Sequence, residues 1–344
     1  MKNLIAKGDN FSVLKELLEK HGLSGKVDLV YIDPPYGTNQ HFTFSTDRFS
    51  TISRTNGGTI AYSDTISGEQ YLEFLSARLL LIRELMSEKA SIYLHIGEKM
   101  GHYVRVLMDR IFGEDRFVNQ IARIKCNPKN FSRKGFGNSK DMILFYSKSA
   151  HFTWNEQREP FAEHPEINRF SKTDEKGKKY TTTPIHAPGE TANGITGKEW
   201  KGMFPPPGRH WRYAPQILDG LDQQGLIEWS SSGNPRKKLY EEDARKAGLK
   251  IQDIWAFKDP QNPRYPTEKN RKMLELIVKT SSNPGDLVLD AFCGAGTTLE
   301  AAQHLGRRFI GIDSSPRAID ICRNRLLDFS YLDFCLCSPS EPWT

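Results

Sequence analysis

Two periods organise the apolar positions of this 344-residue chain. Residues 27–32 (Val-Asp-Leu-Val-Tyr-Ile) form a short, largely apolar run, which predicts a buried strand of a parallel sheet. Further strands are expected over 3–9, 90–96, 117–125, 141–148, 286–290 and 308–313. Elsewhere apolar positions recur every three or four residues, as at Phe11, Leu14, Leu17 and Leu18, or at Tyr71, Phe74, Leu75, Leu79, Ile82 and Leu85. That spacing predicts amphipathic helices from residue 10 and over 68–88. Helices are also expected over 99–111, 271–281, 297–303 and 316–327. Strands alternating with helices predict an α/β fold with a doubly wound, mostly parallel, Rossmann-like sheet. Residues 37–67 are polar, rich in Gly and Thr, and keep no firm period; they read as a long loop able to close over a substrate.

Between about 150 and 258 the periodicity weakens and the composition changes. Tryptophans recur (Trp154, Trp200, Trp211, Trp229, Trp255), with Gly, Pro, Lys and Arg crowded around them. This divides the chain into 1–150, an insert over 151–258, a second half of the first domain over 259–330, and a tail over 331–344 expected to fray. Each tryptophan taken singly is expected to be core. The apolar fraction of 38% and charged fraction of 26% are those of a globular protein, not a disordered one. Apolar runs such as Leu79 to Ile82 are too short to span a bilayer, and the start of the chain has no signal-peptide pattern. Five cysteines without metal-ligand spacing predict no metal site and fit a reducing cytoplasm. The net charge of +6 comes from the segment between 111 and 272, which suggests a lobe facing a polyanion.

Candidate chemistry sits at the ends of strands. The run 27–32 stops at Asp33, followed by Pro34, Pro35 and Tyr36; the prolines can continue neither a ladder nor a helix. A carboxylate thus closes a central strand, where open α/β sheets keep their ligand crevice. Asp33, the rigid Pro34 carbonyl and the Tyr36 ring suit a planar amino group that is gripped and stacked. Near the other end, a strand closing at Asp290 runs into Phe292, Gly294 and Gly296, and a helix opens at Thr297 and Thr298. The glycines permit a tight turn, and the helix-start amides with the two hydroxyls favour a carboxylate. Asp313 closes the next strand, the usual position of an acid that grips ribose hydroxyls.

Asp33-Pro34-Pro35-Tyr36 and the Phe-x-Gly-x-Gly of 292–296 together resemble the catalytic and cofactor motifs of amino-group DNA methyltransferases, which use S-adenosylmethionine. The resemblance runs from Leu4 to Leu327 and is weakest over 150–258. With the catalytic motif first and the cofactor motif last, it matches the β class, which includes type III modification subunits and many solitary or type II adenine enzymes. This chain is shorter than a full type III subunit. The resemblance implies that the strands ending at Asp33 and leading to Phe292 are neighbours. It places Asp9 at the cofactor's adenine, a position where a plain helix N-cap would look the same. It also places Thr267 and Lys269 at the cofactor's carboxylate end. His95 is expected to be structural, and Gly97 stands where relatives often carry an acid.

The implied reaction is methyl transfer to N6 of a flipped-out adenine in double-stranded DNA. Aspartate at the first motif position favours adenine over N4 of cytosine, and an RNA methyltransferase is a weaker alternative. A non-catalytic DNA-binding module would be expected to show a degraded acid or glycine loop, and both are intact. The insert reads as the target-recognition region, and Asn138 to Asp141 resembles a segment beside the flipped-base pocket. Expected DNA contacts are Lys129, Arg133, Lys134, Asn138, Lys140, Arg209, Arg212, Arg236 and Lys237. The class leaves room for a partner restriction endonuclease and for a homodimer, and implies no membrane.

Overall fold

The computed structural model describes residues 3–36, 40–44, 59–64, 68–128, 132, 134–161, 165–191, 193–265, 268–327 and 334–337. It divides into two compact units, one formed by the chain up to Gln157 and again from Gln252, the other by Arg158–Ile251. In the first unit the elements are β1 (Asn3–Lys7), α1 (Asn10–Glu19), β2 (Val27–Ile32), β3 (Gln40–Phe44), β4 (Thr59–Asp64), α2 (Gly68–Leu85), β5 (Met86–Ile96), α3 (Glu98–Phe112), β6 (Phe117–Ile124) and β7 (Lys140–Ser147). After the second unit come β8 (Ile254–Trp255), α4 (Arg271–Ser281), β9 (Leu287–Asp290), α5 (Thr297–His304), β10 (Arg308–Asp313), α6 (Pro316–Leu327) and β11 (Phe334–Cys337).

Nine of these strands form one sheet in the order β8-β6-β7-β5-β2-β9-β10-β1-β11. β7 runs antiparallel to β5 and β6; the other adjacent pairs are parallel. This is the mostly parallel, doubly wound sheet that the strand–helix alternation predicts. Every residue of β2 is buried, as an apolar run in a sheet covered on both faces requires. The chain leaves β2 through α2 toward β5, and leaves β9 through α5 toward β10. The order therefore reverses between β2 and β9, and it is beyond the carboxyl ends at such a reversal that open α/β sheets bind their ligands.

The helices close the sheet by burying their apolar stripes. In α2 the stripe is Tyr71, Leu75, Leu79, Ile82 and Leu85, all in the main core with Leu14 and Leu17 of α1. Each such side chain contributes about 1.5–3 kcal/mol by leaving water, so Leu79→Ala would cost roughly 2–5 kcal/mol. Among the described residues no helix is long and apolar enough to cross a membrane.

The structure differs from the expected pattern in three places. The helix expected over 68–88 ends at Leu85, because Met86 already pairs with Val27 as the first residue of β5. Within 37–67, read as a loop, β3 and β4 form an antiparallel hairpin. Within the tail expected to fray, β11 pairs in parallel with β1 at the edge of the sheet. Both pieces are built of strands four to six residues long, too short for a period to emerge from sequence.

The second unit has its own four-stranded antiparallel sheet, ordered Ile227–Trp229, Pro235–Tyr240, Lys179–Pro184, Lys172–Thr173. A hairpin of His186–Pro188 and Arg209–Trp211 and a helix, Pro215–Gln223, accompany it. Ile185, Trp200, Trp211, Leu218 and Ile227 form its core. The indole N–H of Trp200 donates to Asp219 Oδ1 at 2.8 Å and that of Trp211 to the Lys198 carbonyl at 2.9 Å. Those two tryptophans are thus satisfied core residues. Trp154 and Trp229 are exposed.

Candidate active site

β2 delivers Asp33 to the carboxyl edge of the sheet, and the chain turns away through two prolines. The Tyr36 hydroxyl donates to Asp33 Oδ1 at 2.9 Å, closing a short loop back onto the acid. Lys269 Nζ lies 2.6 Å from Asp33 Oδ2 and 5.6 Å from the centre of the Tyr36 ring. Burial, and then the charge of Asp33, push the Tyr36 phenol well above its ordinary range, so it serves as a donor and not as a base. The ring lies against the end of β5, where a Cβ on Gly97 would stand 2.9 Å from Tyr36 Cδ2. An acid at this position would meet the same obstacle; glycine lets the ring sit down.

Beneath Tyr36 a buried polar chain crosses the sheet. Tyr31 lies 2.9 Å from His95 Nδ1, and His95 Nε2 faces Asp141 Oδ2 at 3.4 Å. The tautomer that suits both neighbours carries its hydrogen on Nε2. Burial pushes the imidazole down, which keeps it neutral, and the Asp141 contact only partly opposes this. Burial also pushes Asp141 up, but His95 and Lys125 outweigh it and hold the carboxyl well below the usual range. Arg123 extends the chain, donating to the Phe257 carbonyl at 2.7 Å and to Asp259 at 2.5 Å. His95 is thus a fully buried member of a structural network, as expected from its place at a strand end.

The glycine loop stands one strand away. Asp290 closes β9, fully buried, and its Oδ1 accepts from Phe292 N at 3.0 Å. Burial pushes its carboxyl up to about 7, against the pull of the Thr298 hydroxyl and the Phe292 amide. Asp313 Oδ2 accepts from Gly294 N at 2.9 Å and Oδ1 from Ser315 N at 2.8 Å, which ties the loop to the end of β10. Burial pushes Asp313 up as well, and those amides pull it part of the way back. Gly296 caps α5 at φ +77° without a side-chain hydrogen bond, so the first-turn amides are not capped by a side chain. A Cβ on Gly296 would lie 2.4 Å from Cys322 Sγ of α6. The turn therefore requires glycine for its backbone and for its neighbour alike.

Several expected residues have partners within the protein. Asp9 caps α1 through Ser12 N at 3.1 Å and pairs with Arg78 at 2.7 Å. Arg78 also donates to Asn10 at 2.5 Å, and Asn10 donates to the Ala291 carbonyl at 2.8 Å, so this pair braces the glycine loop from the side. Thr297 Oγ1 accepts from the buried Arg325 at 2.5 Å, and Arg325 also pairs with Glu268 beside Lys269. Thr298 is buried in the first turn of α5. Thr267, Lys129 and Arg133 lie outside the described residues.

Arg78 was not singled out from sequence, yet a signal existed. It occupies the i+3 place after Leu75 on an apolar stripe, where a cation is buried only if paired. Arg325 gave a weaker sign of the same kind on α6.

Of the expected DNA contacts, Lys134 and Asn138 are exposed, and Lys140 lies 3.4 Å from Glu98. In the second unit Arg209 and Arg212 are exposed, with Arg209 Nη1 3.2 Å from His186 Nδ1. Arg236 is half-buried on the Thr182 hydroxyl and carbonyl at 2.9 Å each. Lys237 donates to the Tyr213 hydroxyl at 3.2 Å. Among the described residues no group of three or more His, Cys, Asp or Glu could hold a metal ion.

Comparison with known proteins finds related chains. A family profile described as DNA methylase, of N6/N4 type, matches residues 27–324. The chain is 44% identical over 322 residues to the type II methyltransferase M.EcaI of Enterobacter cloacae, covering 92% of this chain and 67% of that one. It is 25% identical to the StyLTI Mod subunit, a type III restriction-modification enzyme of Salmonella typhimurium, covering 93% of this chain and 52% of that one. It thus spans about half the length of that type III relative. Among solved structures, TTHA0409 from Thermus thermophilus shares the fold, with a TM-score of 0.50 at 17% identity, over 96% of this chain and 99% of that one.

Proposed function

This chain belongs to the N6/N4 DNA methylase family, and we propose that its reaction is methyl transfer from S-adenosylmethionine to N6 of adenine in duplex DNA. The observation that carries the reading is the pairing of β2 with β9. It brings an acid followed by two prolines and a tyrosine beside an uncapped glycine turn. Aspartate in the first place of that motif supports adenine over cytosine.

The residues of the loop fit the methyl donor. The uncapped first turn of α5 offers amides to its carboxylate, and Asp313 offers oxygens to ribose hydroxyls while still holding Gly294. Gly294, Gly296, Thr298 and Asp313 would hold it, together with Asp290, Phe292 and Asp9. When bound, S-adenosylmethionine supplies a methyl group made electrophilic by its sulfonium.

The chain's own part is to prepare the nucleophile. The amino lone pair of adenine is delocalised into the ring, which makes the nitrogen poorly reactive. Hydrogen bonds from its two N–H groups to Asp33 and to the Pro34 carbonyl localise that pair and face the positive charge that develops on nitrogen. The proton released as the new N–C bond forms has the Asp33 carboxylate as its first acceptor. Tyr36 offers its ring to the base, and holding the amino nitrogen in line removes orientational entropy from the barrier. A paired base is out of reach, so the adenine is flipped from the helix at a cost of a few kcal/mol.

DNA contact is assigned to Lys129, Arg133, Lys134, Asn138 and Lys140 before the second unit, and to Arg209, Arg212, Arg236 and Lys237 within it. Sequencing of modified bases in DNA from cells expressing the chain tests the reading. N6-methyladenine at a defined site is expected; N4-methylcytosine would move the target base, and unmodified DNA would end the proposal.

A further inference from the structure

Both oxygens of Asp33 carry a donor from this chain: Tyr36 on Oδ1 at 2.9 Å and Lys269 on Oδ2 at 2.6 Å. The side chains of Lys269 and Asp33 are 10% and 17% exposed, so the pair is largely shielded from water, where a short charge-assisted contact is strong. Its placement is fixed from both sides. Glu268 is paired with the buried Arg325 and accepts from Arg264 N at 2.5 Å. Asn270 caps α4 through Met273 N at 3.3 Å and donates to the Lys258 carbonyl at 2.8 Å. The residue between two such anchors has little freedom in where its side chain starts.

We propose that Lys269 is the positioning residue of Asp33. In the free enzyme its ammonium compensates and aims the carboxylate, and the incoming amino group of the target base displaces it from Oδ2 while Tyr36 keeps Oδ1. The inference rests on the methyl-transfer reading of Asp33. It differs from the role that resemblance implies, in which Lys269 grips the carboxylate end of the methyl donor. A lysine acting through Asp33 loses its effect when Asp33 is neutralised; a lysine gripping the donor does not.

The test uses the full chain and five proteins: wild type, Lys269→Met, Asp33→Asn, the double variant, and Lys269→Arg as the conservative control. Urea unfolding without added ligand, calorimetric titration with S-adenosylmethionine, and single-turnover methylation of unmodified plasmid DNA are measured on each. The proposal expects Lys269→Met to slow single turnover by at least about tenfold while the affinity for S-adenosylmethionine stays within about twofold, with Lys269→Arg recovering most of the rate. It also expects the unfolding midpoint to shift less on Lys269→Met in the Asp33→Asn background than in wild type. Equal shifts in both backgrounds would overturn it. So would an affinity for S-adenosylmethionine about tenfold weaker with the rate intact at saturation, which would return Lys269 to the donor. Should wild type modify no DNA at all, the methyl-transfer reading falls, and the unfolding cycle still decides whether Lys269 and Asp33 are coupled.

Discussion

Leu289 stands opposite Val30 in parallel register, so the strand that ends at Asp290 and the strand that leads to Asp33 lie side by side. About 260 residues of chain separate the partners, and the second unit is inserted within that span. The acid and the glycine turn meet because the sheet reverses its order at this place. The consequences below follow from that meeting and from what surrounds it.

Asp290 makes stability depend on pH. Burial pushes its folded value up to about 7, above the roughly 3.9 of an unfolded aspartate. The folded state therefore holds the extra proton between those values. Stability from this group is full below about 4, falls as pH rises toward 7, and stays low above it. Asp290→Asn removes that dependence. The expected result is a wild-type unfolding free energy that drops more between pH 5 and pH 8 than the variant's, by an amount on the order of a few kcal/mol. Parallel pH profiles for the two proteins would contradict it.

Gly296→Ala combines two costs. An alanine at φ +77° is strained by about 1–3 kcal/mol, and its Cβ would collide with Cys322 Sγ at 2.4 Å. Urea denaturation is expected to show a loss of at least about 2 kcal/mol, with weaker binding of S-adenosylmethionine. Cys322→Ala in the same chain should restore only part of the loss, because Cys322 Cβ and Cα also stand within 3.1 and 3.4 Å.

Arg123 holds the returning chain to the sheet. It is buried, bonded to the Phe257 carbonyl and paired with Asp259 and Asp141. Arg123→Met leaves Asp259 without this cation, while Asp141 keeps Lys125, and is expected to cost about 3–5 kcal/mol in equilibrium unfolding. A change below about 1 kcal/mol would show that the network is replaceable by packing alone.

Arg212→Ala addresses the DNA contacts. The side chain is exposed in the second unit, and removing one phosphate contact is expected to weaken binding across all duplex sequences. The slope of log affinity against log salt should fall in magnitude by about one. An unchanged slope would exclude Arg212 from the phosphates.

What sequence could show about this site was local. Asp33 and Gly296 were legible because each interrupts a pattern: prolines follow one, and a left-handed turn demands the other. The strand alternation likewise revealed the sheet. The partner of Lys269 was not legible, because contact with Asp33 arises from the packing of two loops far apart in sequence. Arg78 hid in an apolar stripe whose neighbours alone seemed to explain the helix, and only the contact with Asp9 and Asn10 shows why a cation is there. The hairpin of β3 and β4 was missed because strands so short leave no period to read.

The most direct test of the whole account is methyl transfer by purified wild type and Asp33→Ala to unmodified DNA, with nucleosides analysed by mass spectrometry and S-adenosylmethionine binding measured on the same samples. The account predicts N6-methyladenine from wild type, a loss of at least about a hundredfold in the variant, and equal donor affinity in both. A variant that methylates at near the normal rate would contradict it.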